Sequence, residues 1–212
     1  KVYSEDFTIS VGDVNEAPVL SAPGSKAITE DAQTSTVNGA LAATDPEGAA
    51  LTYEAVGATL ASGSYTLAGT YGTLTLNSAT GAYTYSLNNS ATATNALAGG
   101  ASVSETFAVR VSDGSSTTAS QNLVINITGA NDAPSGLTLS ASTVVENSAG
   151  AVVGTLSATD PEGQTITYTV GGTDGTSFEV VNGTLKLKDT VAADKEAKGS
   201  YSVTVTAADA GS

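Results

Sequence analysis

Acidic residues recur in this sequence at positions that two successive stretches of the chain share. The hexapeptide ATDPEG occurs at Ala43–Gly48 and again at Ala158–Gly163, so that one proline separates an Asp from a Glu in both places. Further acids precede this pair or end a later apolar run, and acids and Asn residues lie in or beside a tetrapeptide of the form NEAP or NDAP. Together with the two pairs, the recurring residues are Glu30, Asp45, Glu47 and Asp113; then Glu146, Asp160, Glu162 and Asp209; and Asp13, Asn15, Glu16, Asn131 and Asp132 around the tetrapeptides.

Oxygen coordination is the metal chemistry that this composition offers. The 212 residues include no His, Cys, Met or Trp, which excludes imidazole and thiolate catalysis, disulfides, and zinc or copper sites built on those ligands. Calcium takes about six to eight oxygen ligands, and carboxylates from several loops can supply them. The recurring acids therefore predict calcium sites.

The charge of the chain limits its partners. Seven Lys and Arg stand against 21 Asp and Glu, which gives a formal net charge of -14. A surface of this sign repels phosphate backbones and anionic lipids, so we expect no nucleic-acid partner and no direct membrane insertion. The sequence shows neither a leader nor an apolar run of membrane-spanning length, which is typical of an internal piece of a longer protein.

Two internal repeats position the acids. NEAP at residue 15 recurs as NDAP at 131, an offset of 116 residues, and ATDPEG recurs from 43 to 158. Between these landmarks the apolar residues alternate, as in TFAVRVSD (106–113) and YSVTVTAAD (201–209), which predicts short strands. We therefore predict an all-β chain of tandem Ig-like antiparallel β-sandwiches arranged end to end. NSATATNALAGGAS (89–102) is predicted to be a long surface loop.

The first residues are out of phase with this repeat. Phe7, Ile9 and Val11 alternate as do Leu123, Ile125 and Ile127, the apolar residues of the last run before NDAP. We predict that residues 1–18 are the final strand and linker of a preceding repeat, that 19–134 form one sandwich, and that 135–212 form a second that lacks its last strand. Residues 1–12 are hypothesised to pair with the second sandwich of a neighbouring molecule, giving a head-to-tail chain. The alternative is an arm that stays unpaired.

These motifs resemble those of cadherin-type repeats. VVENSAGAVVGTLSATDPEGQTITYTV resembles the early-Glu and D-x-D segments of that family, ADKEAKGSYSVTVTAADAG resembles its D-R-E segment and the strand that follows, and DVNEAP resembles its D-x-N-D-N linker. The earlier GTYGTLTLNSATGAYTYSLNN and GANDAP are similar to the VCBS type of bacterial cadherin-like repeat. The resemblance implies an extracellular, calcium-dependent adhesion repeat of a large RTX-type surface adhesin of Gram-negative bacteria, with a role in biofilms.

The resemblance also implies three groups of ligands. The first cluster would contain Asp13, Asn15, Glu16, Asp45, Glu47 and Asp113; the middle cluster Glu30, Asn131, Asp132, Asp160, Glu162 and Asp209; and the last cluster Glu146, Asp194 and Glu196. Two departures concern the middle cluster. The first sandwich has no D-R-E counterpart, and Gly129 stands where Asp13 stands in the earlier linker, which predicts fewer or weaker ions there.

Simpler interpretations of the same residues remain open. D-P-E-G is by itself a favourable type I turn, Asp31 is predicted to cap a turn rather than bind metal, and Asp194 and Glu196 could belong to a solvated loop. A calcium-dependent carbohydrate-binding module, with sugars stacked on Tyr65 or Tyr71, is the alternative function. A glycoside hydrolase built on Asp194 and Glu196 is the weakest hypothesis, and we expect no enzyme activity.

Overall fold

The computed structural model describes residues 1–211, which form two compact units. The first comprises residues Lys1–Ile28, Thr34–Asn88 and Ser104–Ile127, and the second comprises Thr29–Gln33, Asn89–Val103 and the chain from Thr128 onward. Two short segments of the first half, 29–33 and 89–103, thus belong to the second unit. The domain boundaries after Pro18 and Pro134 stay a prediction, because each compact unit is made of several separate segments of the chain and its limits do not fall at these residues.

The first unit contains two principal sheets. Its elements are β1 (Val19–Leu20), β2 (Ser25–Thr29), β3 (Thr36–Ala40), β4 (Ala43–Thr44), β5 (Thr52–Ala55), β6 (Leu60–Ala61), β7 (Ser64–Ala68), β8 (Gly72–Asn77), β9 (Ala82–Leu87), β10 (Ser102–Ser112) and β11 (Gln121–Thr128). One sheet has the order β2-β11-β10-β5 and the other β3-β9-β8-β7-β6, while β1 pairs with β4. The alternation of apolar residues along β8 to β11 buries one face of each sheet.

Aromatic and aliphatic side chains of the two sheets fill the core of the first unit. Leu74 and Tyr85 of one sheet and Val109 and Ile125 of the other are fully buried. The rings of Tyr85 and Phe107 lie 5.9 Å apart at 54°. This core is that of a β-sandwich, in which two sheets bury their facing side chains.

The second unit contains a four-stranded and a two-stranded sheet. Its strands are β12 (Ser135–Leu139), β13 (Val152–Thr159), β14 (Thr167–Gly171), β15 (Phe178–Val181), β16 (Thr184–Leu187) and β17 (Thr204–Ala208). The sheet orders are β12-β13-β16-β15 and β14-β17, with antiparallel pairing throughout. Leu156, Phe178, Leu185 and Leu187 form the core, and the Phe178 ring meets Tyr201 edge-on at 5.6 Å. The predicted all-β fold is confirmed.

Two segments differ from the sequence-based expectation. Residues 89–102 are not a featureless loop: they carry the one-turn helix α1 (Thr92–Asn95), and Thr94 and Leu97 are buried. The alternating residues 1–12 form no strand within this chain and are exposed throughout. A strand needs a hydrogen-bonding neighbour, and alternation alone does not provide one.

Candidate metal centres

The two D-P-E-G segments are turns, and the turn uses only one oxygen of its Asp. Asp45 accepts hydrogen bonds at Oδ1 from the amides of Glu47 (3.1 Å) and Ala49 (2.8 Å). Asp160 Oδ1 accepts one from the Gln164 amide at 2.7 Å. In both residues Oδ2 is buried and has no hydrogen-bond partner. The turn and ligand interpretations are therefore compatible, because folding the turn leaves one carboxylate oxygen for another partner.

In both units the linker makes the same two contacts, one with the Asp that follows a late strand and one with the Glu of the D-P-E-G turn. Asn15 Nδ2 donates to Asp113 Oδ2 over 2.9 Å, and Asn131 Nδ2 donates to Asp209 Oδ1 over 3.0 Å. The residue after each Asn donates its backbone amide to the Glu of the turn, Glu16 to Glu47 at 3.2 Å and Asp132 to Glu162 at 2.8 Å. The spacing of the acids in sequence thus corresponds to a recurring arrangement in space.

The middle cluster lies within the second unit and is the most buried of the three. Glu30 at the turn after β2 is 2% exposed, and Asp160 is 8% exposed. The amide of Ala130 donates to Glu30 Oε2 over 3.1 Å, which joins the end of β2 to the linker. Hydrogen bonds pair Asn131 with Asp209 and Asp132 with Glu162, while Glu30 is connected to the linker through the Ala130 amide. Asp160 is connected through Gln164, whose backbone amide it accepts and whose side chain donates to Asn131.

Four buried carboxylate oxygens of the middle cluster have no hydrogen-bond partner. They are Glu30 Oε1, Asp132 Oδ2, Asp160 Oδ2 and Glu162 Oε2. Burying a charged oxygen without a partner is costly, and native proteins rarely do so without a ligand, an ion or water at the site. The donor set is made of hard oxygens, which is the chemistry that calcium prefers. These residues fit a calcium ion.

Burial and mutual repulsion raise two pKa values in this cluster. The pKa of Glu30 is raised above 4.5, first by burial and then by the charges of Asp132, Asp31 and Glu162, although the Ala130 amide opposes the shift. The pKa of Asp132 is raised above 3.8 by burial and then by Asp31 and Glu162. Both shifts have the sign expected of carboxylates held together without a counter-charge.

Asp31 lies next to the middle cluster, although the sequence predicted only a turn for it. It occupies a turn with φ of 52°, as predicted, but its carboxyl group also interacts with that of Asp132. The counterpart 116 residues later is Asn147, which has the same backbone conformation with φ of 56°. The adjacent pair of acids at 30 and 31, where the later segment has Glu and Asn, was the sequence signal for this interaction.

Gly129 lacks an acidic side chain because there is no space for one. A Cβ at this position would lie 2.5 Å from the carbonyl oxygen of Leu97. The Gly129 amide donates to the Ala101 carbonyl at 2.8 Å, and its own carbonyl accepts from the Gly100 amide at 2.9 Å. The segment after α1 therefore packs directly on the linker and excludes the Asp that stands at residue 13 in the earlier linker.

The first cluster lies on the surface of the first unit. Carboxylate oxygens of Asp13, Glu16 and Glu47 lie within 4.8 Å of one another. The pKa of Glu47 is raised, first through its contact with the Glu16 carboxyl group. The pKa of Asp113 is held well below its usual range by the Ser116 amide and then by Asn15. Asp113 thus stays ionised, and Asp45 Oδ2 adds a buried oxygen without a partner to this cluster.

The last cluster brings Glu146, Asp194 and Glu196 together in the second unit. Their carboxylate oxygens also lie within 4.8 Å of one another, and all three residues are exposed. Glu146 Oε2 accepts from the Lys195 amide at 3.2 Å, and Asp194 Oδ1 accepts from the Ala197 amide at 3.0 Å. This geometry brings Glu146 next to Asp194 and Glu196, which follow it by 48 and 50 positions in the sequence, and the cluster has fewer carboxylates than the other two.

Comparison with known proteins agrees with this architecture. The family profile described as bacterial cadherin-like domain matches residues 15–129. No curated protein matches the chain. In the part of the chain that the structure describes, no helix combines the length and hydrophobicity needed to cross a membrane.

Solved structures of cadherins share the fold at low sequence identity. Human protocadherin-24 EC1-2 is 19% identical with a TM-score of 0.55, over 92% of this chain and 88% of that one. Drosophila N-cadherin EC1-4 is 21% identical with a TM-score of 0.61, over 93% and 46%. PcdhgB3 EC1-4 is 22% identical with a TM-score of 0.66, over 95% and 47%. The chain thus spans about half the length of these four-domain fragments. Since the family profile covers more than half of its residues, the chain belongs to the bacterial cadherin-like domain family.

Proposed function

We propose that this chain is a pair of calcium-rigidified extender repeats from a large, secreted bacterial adhesin of the RTX type. Its first sandwich would be a VCBS-like repeat, and the whole would act outside the cell in adhesion and biofilm formation. The chain would serve as a spacer and not as an enzyme. Membership of the cadherin-like family supports an extracellular adhesion repeat.

The four unpartnered oxygens of the middle cluster carry this proposal. They belong to Glu30, Asp132, Asp160 and Glu162, residues that lie up to 132 positions apart in sequence, from 30 to 162. The backbone amides of Ala130 and Asp132 hold two of these side chains through their other oxygens. In Glu30 and Glu162, one carboxylate oxygen is thus fixed by a backbone hydrogen bond, while the other oxygen has no hydrogen-bond partner in the fold.

Charge repulsion provides the mechanism. Two carboxylates about 5 Å apart repel by about 3 kcal/mol at an effective dielectric constant of about 20. Without a counter-ion the turn after β2, the linker at 130–132 and the turn at 160–163 therefore push one another apart. A bound calcium ion would supply two positive charges shared among these segments. The linker would then be held firmly, and the connection between successive repeats would stiffen.

The net charge of the chain and its lack of cysteine fit an extracellular spacer. Extracellular calcium modules typically have dissociation constants of about 10⁻⁴–10⁻³ M. In that range the chain would be flexible at cytosolic calcium and stiff outside the cell. The first and last clusters would bind calcium in the same way and stiffen the junctions with the neighbouring repeats of a longer chain. Residues 1–12 would in addition pair with a neighbouring molecule.

Thermal unfolding and small-angle scattering in chelator and in millimolar calcium test the proposal. We expect calcium to raise the melting temperature and to give a longer, stiffer particle at a protein concentration low enough to keep the chain monomeric. Asp160→Asn should lose most of both responses, whereas Asp6→Asn, which removes an equal charge from an exposed residue outside the clusters, should keep them. Identical curves in the two buffers, or saturation at micromolar calcium, would contradict the proposal.

A further inference from the structure

Residues 97–101, between α1 and β10, lie against the linker within the second unit. The whole segment Asn89–Val103 packs with that unit, to which the linker also belongs. The Gly129 amide donates to the Ala101 carbonyl over 2.8 Å, and the Gly100 amide donates to the Gly129 carbonyl over 2.9 Å. Both backbone groups of Gly129 are therefore bonded to residues 97–101, which we call the strap.

The sequence of the strap explains its shape. The Ala101 amide donates to the Ala98 carbonyl over 2.8 Å, which closes a four-residue turn. Gly100 is the third residue of this turn and has φ of 78°. A type II turn requires such a positive φ at its third residue, and glycine adopts it without strain. The turn thus presents the Gly100 amide and the Ala101 carbonyl together to Gly129.

Close packing accompanies these hydrogen bonds. A Cβ at Gly129 would lie 2.5 Å from the Leu97 carbonyl oxygen, and a Cβ at Gly99 would lie 3.4 Å from the backbone nitrogen of Asn131. The base of the strap is anchored, since Leu97 is 8% exposed and Thr94 of α1 is fully buried. The backbone of the strap therefore packs directly on the backbone of the linker.

The contact between the strap and Gly129 involves no charged group. Residues 89–103 include no Asp, Glu, Lys or Arg, and both hydrogen bonds to Gly129 join peptide groups. Repulsion between carboxylates depends on whether a counter-ion is present, whereas hydrogen bonds between neutral peptide groups do not need one. The strap is therefore expected to stay in place without a metal ion.

The next residues of the same linker are held differently. The Ala130 amide donates to Glu30 Oε2 over 3.1 Å, and the Asp132 amide donates to Glu162 Oε1 over 2.8 Å. Both acceptors are carboxylates of the middle cluster, which repel one another when no cation lies among them. Adjacent amides of one linker thus depend on two different kinds of contact.

We propose that the strap is a metal-independent clamp that holds the linker at Gly129 and thereby positions Asn131 and Asp132 for calcium. A backbone that is already ordered loses less conformational entropy when an ion binds to its side chains. The strap would thus replace, through backbone contacts, part of the hold that is lost because Gly129 stands where the earlier linker has Asp13. The clamp itself does not rest on the proposed function, but its effect on calcium affinity does.

Amide-resolved hydrogen exchange of the full chain, in chelator and in millimolar calcium, tests the clamp. We expect the amides of Gly100 and Gly129 to exchange at least about 100-fold more slowly than in an unfolded peptide in both buffers. The amides of Ala130 and Asp132 are the internal comparison, and their exchange should slow by at least about tenfold when calcium is added. Exchange of Gly129 in chelator at the rate of an unfolded peptide would overturn the clamp.

Leu97→Ala tests the positioning of the linker, because it shortens the buried side chain of the strap and removes no candidate ligand. In chelator it should speed the exchange of Gly129 by at least about tenfold. Calcium affinity, measured by calorimetry, should fall by about three- to tenfold while the number of bound ions stays the same. Leu60→Ala is the control, since this residue of β6 is 50% exposed, and it should change neither value. Unchanged exchange at Gly129, or unchanged affinity, in Leu97→Ala would overturn the positioning role.

The outcomes separate this inference from the proposed function. If Gly129 is protected in chelator while calcium neither binds nor slows the exchange of Ala130 and Asp132, the clamp holds and the proposed calcium site fails. If Gly129 becomes protected only in calcium, the calcium site stands and the clamp fails. The exchange data of the wild type decide between these cases even if Leu97→Ala does not fold.

Discussion

The backbone amide of Asp132 donates to Glu162 Oε1 over 2.8 Å and leaves Glu162 Oε2 buried without a partner. Glu162→Gln keeps an oxygen that can accept this hydrogen bond but removes the charge. We expect calcium affinity to fall by at least tenfold while the calcium-free protein becomes more stable, because repulsion within the cluster decreases. Calorimetric titration with calcium and unfolding in chelator measure the two effects. Unchanged affinity would show that Glu162 is not a ligand.

Asp31 is expected to have opposite effects with and without calcium. Its carboxyl group raises the pKa of Asp132, so Asp31→Asn should raise the melting temperature in chelator. In calcium the same change would remove a carboxylate that neutralises the ion and should lower the melting temperature. Asp6→Asn, at an exposed residue outside the clusters, should change neither value. If Asp31→Asn shifts the melting temperature in the same direction in both buffers, Asp31 has only a structural role.

Gly129 tolerates no side chain next to the segment that follows α1. Gly129→Ala places a Cβ 2.5 Å from the Leu97 carbonyl oxygen, and such overpacking costs about 1–3 kcal/mol. We expect a corresponding loss in the free energy of unfolding, measured with a denaturant. Gly12→Ala is the control, since nothing lies within 4 Å of a Cβ there. Equal stability of the two variants would mean that the segment after α1 moves freely.

Acidification is expected to stabilise the calcium-free second unit. The pKa values of Glu30 and Asp132 are raised in the folded protein, so ionising them costs stability as the pH rises through these values. In chelator the melting temperature should therefore rise as the pH falls from about 7 to about 5. Asp113 and Asp174, whose pKa values are lowered, stay ionised in this range and do not oppose the trend.

In calcium the pH dependence should reverse. Protons compete with the metal for the same carboxylates, so acidification weakens binding. Melting curves recorded in both buffers over the same pH range provide the comparison. A melting temperature that falls with pH equally in chelator and in calcium would contradict the assignment of the raised pKa values to unneutralised carboxylates.

A buried acid in the first unit has a role outside the candidate metal centres. Glu105 accepts the Tyr85 hydroxyl at 2.7 Å and the Tyr71 amide at 2.8 Å, and a Cβ at Gly69 would overlap its carboxylate. Burial and then this hydrogen bond raise the pKa of Tyr85. Tyr85→Phe leaves Glu105 without one donor and should cost about 1–3 kcal/mol of the free energy of unfolding. The exposed Tyr3→Phe should have little effect.

The recurring acids were predictable because each lies at a fixed distance from a strand whose alternation is visible in the sequence. ATDPEG and the NEAP or NDAP segment carried enough information to locate both Asp45 with Glu47 and Asp160 with Glu162. Whether D-P-E-G was a turn or a ligand could not be resolved from sequence, because the turn uses one oxygen of the Asp and leaves the other without a hydrogen-bond partner.

Other features depended on contacts between distant residues. The helix α1 could not be predicted from 89–102, because this segment has few apolar residues. They become buried only when the segment packs on Gly129 and its neighbours. The role of Asp31 depends on its approach to Asp132, about 100 residues away. The alternation of residues 1–12 predicted a strand, but these residues form none in the structure, because alternation does not supply the hydrogen-bonding neighbour that a strand needs.

In Asp45 and Asp160, Oδ1 accepts the hydrogen bonds of the turn while Oδ2 has no partner, and this separation affects how the sequences of such repeats can diverge. Each loop is already shaped by hydrogen bonds to Oδ1, so its conformational entropy is lost during folding and not when a ligand arrives. Substitutions of neighbouring residues, such as Asn131 or Gln164, would then change the calcium affinity while the loop keeps its shape. Under the proposed function, long arrays of these domains would contain a range of calcium affinities on one unchanged scaffold.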